Sequence, residues 1–265
     1  MMSGTEETRL QLAKAIAVEG GELAVRMRLA QTNGFTERKS HQDFVTAADR
    51  AVEQHLRKRI AQRFPTDAVL GEEEGYSGAS PSLWIIDPID GTTNYMRGMP
   101  EWAVSIGHMV DGKLNFGVIH APDLALTASA ADREGATLNT ERTDVSGCAE
   151  ADQALVLLGR SDRNGGAEYL DCIRALLASG TEYRRNGSAA YSLLAVAAGR
   201  ADAFYEAHLN PWDAAAGLLI IKEAGGKVSH PPLKDFLARG GPVLACNSGL
   251  NDTLAAIIPR SFETT

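Results

Sequence analysis

The sequence predicts a mixed α/β fold, and three observations indicate it. Apolar residues recur at helical spacing in several segments, short apolar runs with strand character lie between them, and the regular βαβ alternation of a barrel or a Rossmann fold is missing from the pattern. With 265 residues, 44% hydrophobic and 23% charged, the chain can bury a substantial core. We therefore expect helices packed on mixed sheets.

Two helices are predicted before the first strand. The first runs from Thr5 to about Ala30, with apolar residues at helical spacing that include Leu12, Ile16, Leu23 and Met27. A polar, loop-like stretch is expected at residues 32–43. A second helix follows, closed by Pro65 and carrying Asp49 in its first turn. Its apolar face is formed by Val45, Val52, Leu56 and Ile60.

Strand-like runs begin near residue 68. The runs AVLG and LWII both lead into acidic residues, and the apolar runs on either side of Asp111-Gly112 are typical of a β-hairpin. Helices are then predicted near 165–178, 188–199 and 211–224, with short strands in ALVLLG, ADAFYE and GPVLACN. We predict two intimately packed subdomains in one compact unit, a metal-binding subdomain at 1–147 and a second at 148–265 that completes the active site.

Composition argues against several classes of function. The net charge of -8 and the pI near 5.3 are unlike those of a protein that holds nucleic acid through clustered Lys and Arg. The three cysteines, at 148, 172 and 246, match neither a disulfide framework nor a zinc site, so we interpret them as reduced and structural. The N-terminal residues are acidic where a signal peptide is basic, and no apolar run approaches the roughly 20 residues of a membrane span. We predict a cytoplasmic protein without nucleic-acid or membrane partners.

The segment DPIDGTTN, residues 87–94, is the strongest indication of chemistry. It follows the apolar run at 83–86, so the carboxylates of Asp87 and Asp90 are expected to emerge at a strand end. Gly91 lets the backbone approach a ligand closely, and the two threonines after it offer amides and hydroxyls to a phosphate. Clustered carboxylates repel unless their pKa values rise or a cation sits among them, and hard oxygen ligands favour magnesium, manganese or calcium.

Two further acidic motifs are weaker when taken alone. Glu72 in GEEEG follows another apolar run, although acids between glycines usually form an exposed loop. Asp213 in NPWD lies in the first turn of a predicted helix, where Asn210 can act as N-cap and the helix dipole favours an anion. Helix capping and metal binding are compatible for Asp213, because a helix N-terminus holds a carboxylate rigidly.

Together these motifs resemble the inositol monophosphatase family of magnesium-dependent, lithium-sensitive phosphatases. GEEEG, WIIDPIDGTTN, RRNGSAA and NPWDAAAGLLIIKEAGG occur in the order and at the spacing of that family, over nearly the whole chain. The resemblance implies a layered αβαβα sandwich of the inositol monophosphatase/fructose-1,6-bisphosphatase type and a homodimer. It also implies a phosphomonoester hydrolase with two to three Mg²⁺ ions per site, acting on a small phosphorylated metabolite.

The resemblance also assigns roles to individual residues. The implied metal ligands are Glu72, Asp87, Asp90, Asp213 and the carbonyl group of Ile89. The implied catalytic residues are Thr92, Asp49 and Glu72, with Thr92 bonded to Asp49 and orienting the attacking water. The implied substrate-binding residues are Asp90, Gly91, Thr92, Thr93, Glu206 and Asp213. In this chemistry, bound cations lower the pKa of water toward ~7 and no nucleophilic side chain is required.

Several alternatives remain at this stage. A haloacid-dehalogenase-type phosphatase has a similar DxDGT motif, but its two acids are two residues apart and those of DPIDGT are three apart. Inositol monophosphate or a similar polyol phosphate is the leading substrate; histidinol phosphate, a 3'(2'),5'-bisphosphate nucleotide and a sugar bisphosphate are alternatives. A non-catalytic regulatory or binding protein is a different class. The roles of Arg97, Arg184 and Arg185 stay open.

Overall fold

The computed structural model describes residues 4–30, 36–40, 43–161, 163 and 166–258, with the strands at 36–40 and 43–46 described by their backbone. The helices are α1 Gly4–Ala30, α2 Ala47–Arg63, α3 Thr92–Arg97, α4 Gly166–Ala178, α5 Ala189–Ala197, α6 Pro211–Glu223, α7 Leu233–Arg239 and α8 Asn251–Ile257. The strands are β1 Thr36–Ser40, β2 Asp43–Thr46, β3 Ala68–Gly71, β4 Gly75–Ser77, β5 Ser82–Asp90, β6 Ala103–Val110, β7 Lys113–Ala121, β8 Leu126–Ala131, β9 Gly135–Leu138, β10 Glu141–Arg142, β11 Leu155–Leu158, β12 Glu182–Arg184, β13 Ala203–Leu209, β14 Lys227–Ser229 and β15 Gly241–Cys246. Among the described helices, none combines the length and the apolar character that crossing a membrane requires.

Two mixed sheets form the framework of the described residues. The larger has eight strands in the order β10-β9-β8-β7-β6-β5-β3-β4, in which β3 and β5 are parallel and their neighbours pair antiparallel. The smaller has five strands in the order β12-β11-β13-β15-β14, with β11 parallel to both β12 and β13. The mixed sheets expected from the sequence are therefore confirmed.

Helices cover both faces of each sheet and create five layers. Helices α1 and α2 pack on one face of the larger sheet, around buried residues such as Ile16, Leu56, Trp84 and Phe116. Helices α5 and α6 lie between the two sheets, and α4 and α8 cover the far face of the smaller one. This arrangement confirms the layered αβαβα sandwich.

The middle helix layer contacts the larger sheet very closely at two glycines. A Cβ added to Gly117 in β7 would lie 2.5 Å from the carbonyl oxygen of Ala216 in α6. A Cβ on Gly107 in β6 would lie 3.0 Å from the Cβ of Ala215. Real Cβ contacts are rarely this short, so the glycines allow the backbone of α6 to rest on the sheet. This contact sets the position of the N-terminal end of α6, where Asp213 lies.

The polar stretch after α1 differs from its prediction. Strands β1 and β2 pair antiparallel, with Thr36 opposite Thr46, and α2 begins at Ala47. Val45 therefore belongs to a strand, and assigning it to the apolar face of α2 was wrong. The predicted loop is in part a hairpin strand, because cross-strand pairing can form without an apolar face. The rest of that loop, residues 32–35 and 41–42, lies outside the described residues.

The predicted division near residue 147 stays a prediction. The larger sheet is built from strands between residues 68 and 142, and the smaller one from strands between 155 and 246. Helices α5 and α6 nevertheless pack against both sheets. One apolar cluster thus includes Ile119 from β7, Leu193 and Ile220 from the two helices, and Phe204 from β13.

Candidate active site

Strand β5 carries two of the acidic residues and departs from the predicted turn. The strand continues through the whole DPID motif to Asp90, and its register against β6 shifts between Asp87 and Asp90. Residues three apart in a regular strand point to opposite faces. The irregularity, which also accommodates Pro88 with its missing N–H, lets both carboxylates join one cluster.

Three carboxylates meet where β5 approaches the N-terminus of α6. Oxygen atoms of Asp87, Asp90 and Asp213 all lie within 4.8 Å of one another. Asp87 is almost fully buried, at 1% exposure, and the other two are half-buried. The structure therefore brings together three of the carboxylates that the sequence nominated as metal ligands.

The environment of this cluster disfavours negative charge. Burial, followed by the charges of Glu72 and Asp90, raises the pKa of Asp87 well above its usual range. Burial raises the pKa of Asp90 to about 6, although a hydrogen bond from Ser188 opposes the shift. Burial and the charge of Asp90 raise the pKa of Asp213 to about 7. Such mutual repulsion is relieved when a cation binds among the carboxylates.

Asp90 is fixed by the N-terminus of α5, a contact that the sequence did not reveal. Its Oδ2 atom accepts hydrogen bonds from the Ser188 hydroxyl and, at 2.6 Å, from the Ala190 backbone N–H. Ser188 is the N-cap of α5, and its Oγ accepts a hydrogen bond from the Tyr191 N–H at 3.1 Å. A serine directly before an apolar helical run is a recognisable N-cap signal, but its partner 98 residues away is not.

Asp213 caps the N-terminus of α6 and also belongs to the acidic cluster. Its Oδ2 atom accepts hydrogen bonds from the Asn210 backbone N–H at 2.8 Å and from the Asn210 side-chain amide at 3.3 Å. Pro211 occupies the first turn, where a missing N–H is tolerated. The capping geometry expected from NPWD is present, and it holds the carboxylate beside Asp87 and Asp90.

Thr92 links the motif to helix α2. Its hydroxyl donates a hydrogen bond to Asp49 Oδ1 at 3.2 Å, and the carbonyl oxygen of Ile89 is an alternative acceptor, also at 3.2 Å. Asp49 lies in the first turn of α2 and is only 1% exposed. A hydroxyl that donates to Asp49 keeps lone pairs for accepting a hydrogen bond from water. The predicted contact between Thr92 and Asp49 is thus present in the geometry.

Glu72 reaches the site from a loop that α2 shapes. The carboxylate of Glu53 is fully buried and accepts hydrogen bonds from the backbone N–H groups of Glu73, at 2.7 Å, and Glu74, at 2.9 Å. Arg57 also donates to Glu53, at 2.8 Å. The loop holds Glu72 half-buried, close enough for its charge to raise the pKa of Asp87. Glu53 was missed because nothing in its helical position indicates a partner 20 residues away.

Gly91 and Asn94 join the motif to the second half of the chain. Gly91 has a φ of 90°, which favours glycine, and an added Cβ would lie 3.0 Å from the Cβ of Ser188. The amide group of the buried Asn94 donates to the carbonyl oxygens of Glu101, at 2.6 Å, and Asn186, at 2.7 Å. Thr93, by contrast, is exposed at the start of α3.

A cavity of about 150 Å³ opens beside the acidic cluster. Asp90 and Asp213 line it, together with Glu206, Arg160 and Arg185. Burial, followed by the charges of Asp213 and Asp90, raises the pKa of Glu206 well above its usual range, while Arg185 opposes that shift. The cavity therefore joins the predicted metal ligands to the predicted substrate residue.

Glu206 lies in β13, which continues to Leu209 instead of ending where the sequence suggested. Its side chain rests directly on Gly159, where an added Cβ would lie 1.7 Å from Glu206 Oε2. Gly159 therefore leaves the space that the carboxylate occupies.

The sequence left the roles of three arginines open. Arg184 is exposed and pairs with Glu182, and Arg97 is also exposed.

Comparisons with known proteins agree on one family. The model of the inositol monophosphatase family matches residues 5–262. The chain is 36% identical over 266 residues to the Nus factor SuhB of Pseudomonas aeruginosa, covering 96% of this chain and 98% of that protein. It is also 36% identical to the inositol-1-monophosphatase of Synechocystis, covering 97% and 92% of the two chains. The crystal structure of the extragenic suppressor protein suhB from Bartonella henselae superposes with a TM-score of 0.90 at 31% identity, covering 96% of this chain and 100% of that one.

Proposed function

The chain belongs to the inositol monophosphatase family, and from that premise we propose that it is a magnesium-dependent phosphomonoesterase acting on inositol monophosphate or a similar small polyol phosphate. One observation carries the proposal: Asp90 and Asp213 of the acidic cluster line a cavity that Glu206 also lines. The carboxylates of the cluster can bind cations, and those cations can hold a phosphate group. Glu206 suits the hydroxyl groups of the alcohol to which the phosphate is attached.

The residues present fit magnesium. Carboxylate and carbonyl oxygens are the ligands that this ion prefers, and the raised pKa values of the cluster show that it is destabilised when it is ionised without a cation. The residues that would hold the ions are Glu72, Asp87, Asp90, Asp213 and the carbonyl group of Ile89. When bound, two or three ions supply charge neutralisation of the phosphoryl oxygens and a water of lowered pKa.

The chain itself would position the reactants. Thr92, held by Asp49, would accept a hydrogen bond from the attacking water and keep it in line with the phosphorus atom. Glu72 lies close enough to Asp87 for its charge to raise the pKa of that carboxyl group. The backbone at Gly91 and Thr92, with Thr93 beside it, would receive the phosphate, and Asp90 and Asp213 would border it. Because the cluster of carboxylates is itself acidic, cations are needed to offset the negative charge of the phosphate.

The test is a panel of substrates in magnesium buffer. Inositol monophosphate, histidinol phosphate, a 3'(2'),5'-bisphosphate nucleotide and a sugar bisphosphate are compared by kcat/KM, which measures substrate preference directly. We expect the polyol monophosphate to be preferred. A preference for one of the others would replace the proposed substrate, and failure to release phosphate from any of them would contradict the enzymatic proposal.

Thr92→Ala is expected to lower kcat by about 10²-fold with little change in KM, because a group that positions water acts mainly in the transition state. Steady-state kinetics on the preferred substrate measure the two constants. Thr92→Ser, which keeps the hydroxyl group next to Asp49, is the matched control and should retain most of the activity. A change in KM alone would show that Thr92 binds phosphate without orienting water.

Glu206→Gln is expected to lower kcat/KM for a polyol phosphate, by an amount that corresponds to a loss of roughly 1 to 2 kcal/mol of transition-state stabilisation. The loss is modest because the amide oxygen still accepts a hydrogen bond. A cationic substrate such as histidinol phosphate should lose more, about 1.5 to 3 kcal/mol. Hydrolysis of p-nitrophenyl phosphate should barely change, because that ester offers no hydroxyl group to this position.

Gly159→Ala should reproduce the same pattern, because the new methyl group displaces the Glu206 carboxylate. Gly147→Ala is the matched control, since an added Cβ there meets nothing within 4 Å. If p-nitrophenyl phosphate is affected as strongly as the polyol phosphate, then Glu206 supports the metal site or the fold instead of the substrate.

A further inference from the structure

A second and larger cavity lies away from the acidic cluster. Its volume is about 290 Å³, and it is bounded by the start of β7, the turn after β8, the C-terminal half of α6, β14 and the start of α7. Asp213 and Lys222 are nine residues apart on α6, which is about 14 Å along a helix at 1.5 Å per residue. The two cavities therefore use opposite ends of one helix. We call this second space the α6 cavity.

Half of the residues that line the α6 cavity are aliphatic. Its apolar lining consists of Leu114, Leu218, Leu219, Val228 and Leu233. Leu218 and Leu219 are 1% and 2% exposed, so the floor belongs to the packed interior. An apolar cavity of about 150 Å³ holds a benzene ring, and a space of nearly twice that volume is suited to a bicyclic aromatic body.

The rim of the α6 cavity is cationic, in contrast to the rest of the protein. Lys113, Arg133, Lys222 and His230 contribute basic groups, and Asp132 is the single carboxylate in the lining. Asp132 lies 3.6 Å from Arg133 Nε and 3.7 Å from Lys222 Nζ, long contacts between well-exposed side chains that are worth little. The chain as a whole carries a net charge of -8, so this rim is a local concentration of the opposite sign.

A hydrogen bond joins two walls of the α6 cavity. The N–H group of Gly135, the first residue of β9, donates a hydrogen bond to Glu223 Oε2 at 2.9 Å, which joins the end of the turn between β8 and β9 to the end of α6. Arg133, in the turn at residues 132–134 between β8 and β9, has a φ of 64°, a left-handed conformation that few residues other than glycine and asparagine adopt. The turn thus holds a basic residue at the rim in a conformation that is unfavourable for it.

We propose that the α6 cavity is a binding site for a small organic anion that has a bicyclic aromatic body and one carboxylate or sulfonate group. The apolar body would lie against the half-buried side chains of Leu114, Val228 and Leu233, and the anionic group would meet Lys113 and Lys222 at the rim. An apolar wall with a few polar groups of one charge at its edge is the usual construction of a small-molecule site. The site is separate from the acidic cluster and needs no metal.

The test measures binding of 2-naphthoate and of its neutral analogue 2-naphthylmethanol by isothermal titration calorimetry. The buffer contains a chelator, so that cations at the acidic cluster cannot hold the carboxylate. We expect 2-naphthoate to bind more tightly than the alcohol by about tenfold or more, because the charge-assisted contacts are lost in the alcohol. Equal affinities for the two compounds would overturn the proposal.

Variants then locate the site. The double change Lys113→Ser and Lys222→Ser should weaken 2-naphthoate binding by about tenfold or more and leave binding of the alcohol nearly unchanged. Lys58→Ser, at an exposed position of α2 on the other face of the larger sheet, is the matched control and should leave both affinities unchanged. Val228→Trp should fill the cavity and weaken the binding of both compounds. If the double variant binds 2-naphthoate as tightly as the wild type does, the compound binds elsewhere, for instance beside Arg160 and Arg185. That result would overturn the proposal.

Discussion

Removal of magnesium by a chelator is expected to abolish phosphate release, and readdition of the ion should restore it. The reason lies in the cluster of Asp87, Asp90 and Asp213, which offers a phosphate only negative charge in the absence of cations. The measurement is the initial rate on the preferred substrate across a magnesium titration. Full turnover in metal-free buffer would contradict the proposed mechanism.

The same removal of magnesium should make stability depend on pH. Asp90 and Asp213 have pKa values raised to about 6 and about 7, so the folded protein holds their protons where the unfolded chain has already released them. The contribution of these two groups to the free energy of unfolding of the metal-free protein therefore falls as pH rises from about 4 to about 7. Below that window both states are protonated at these groups, and above it both are ionised.

Magnesium should reverse this loss, so the gain in melting temperature on adding the ion is expected to grow across the same pH window. The prediction concerns the difference between the melting temperatures with and without magnesium, because other groups change the stability with pH in the opposite direction. Burial raises the pKa values of Asp67 and Asp123, but hydrogen bonds from Arg9 and Trp84 to Asp67, and from Arg28 and Trp102 to Asp123, together with the charges of the two arginines, hold these pKa values below the usual range. Their contribution is the same with and without magnesium and cancels in the difference. A gain that is independent of pH would show that the ions do not bind at the cluster.

Local signals account for what the sequence predicted at the site. Asp87 and Asp90 follow an apolar run, and Asp213 follows an N-cap and a proline, so strand and helix termini could be recognised within a few residues of each acid. These signals have short range because they depend on backbone geometry at the end of a single element. The predicted helices α1, α4, α5 and α6 agree with the structure to within about two residues for the same reason.

Contacts between distant segments explain what could not be predicted. Ser188 and Asn94 hold the two halves of the site together, and Glu53 shapes the loop before Glu72, but none of these residues lies in a pattern that names its partner. The register shift between Asp87 and Asp90 depends on pairing with β6. The α6 cavity arises where five elements pack imperfectly, and no single segment encodes it.

Asp90→Asn is expected to reduce turnover by roughly 10³-fold or more, because a lost metal contact removes several kcal/mol of charge stabilisation. The substitution should leave the fold intact. One oxygen of Asp90, Oδ2, accepts the hydrogen bonds from both Ser188 and Ala190, so the amide oxygen of asparagine can keep both. The NH₂ group then replaces the remaining oxygen, which removes one charge from the cluster and one potential metal ligand.

The consequence for stability has the opposite sign from the consequence for activity. Without metal at pH 7 to 8, the wild-type cluster carries repelling charges that the Asp90→Asn variant lacks, so the variant should melt at a higher temperature than the wild type. With saturating magnesium the order should reverse, because the variant binds the ion more weakly and gains less from it. Asp252→Asn, an exposed acid in α8, is the matched control and should change neither activity nor the response to magnesium. A variant that melts at a lower temperature than the wild type without metal, yet keeps its activity, would show that Asp90 supports the fold through Ser188 and Ala190 and does not bind the ions.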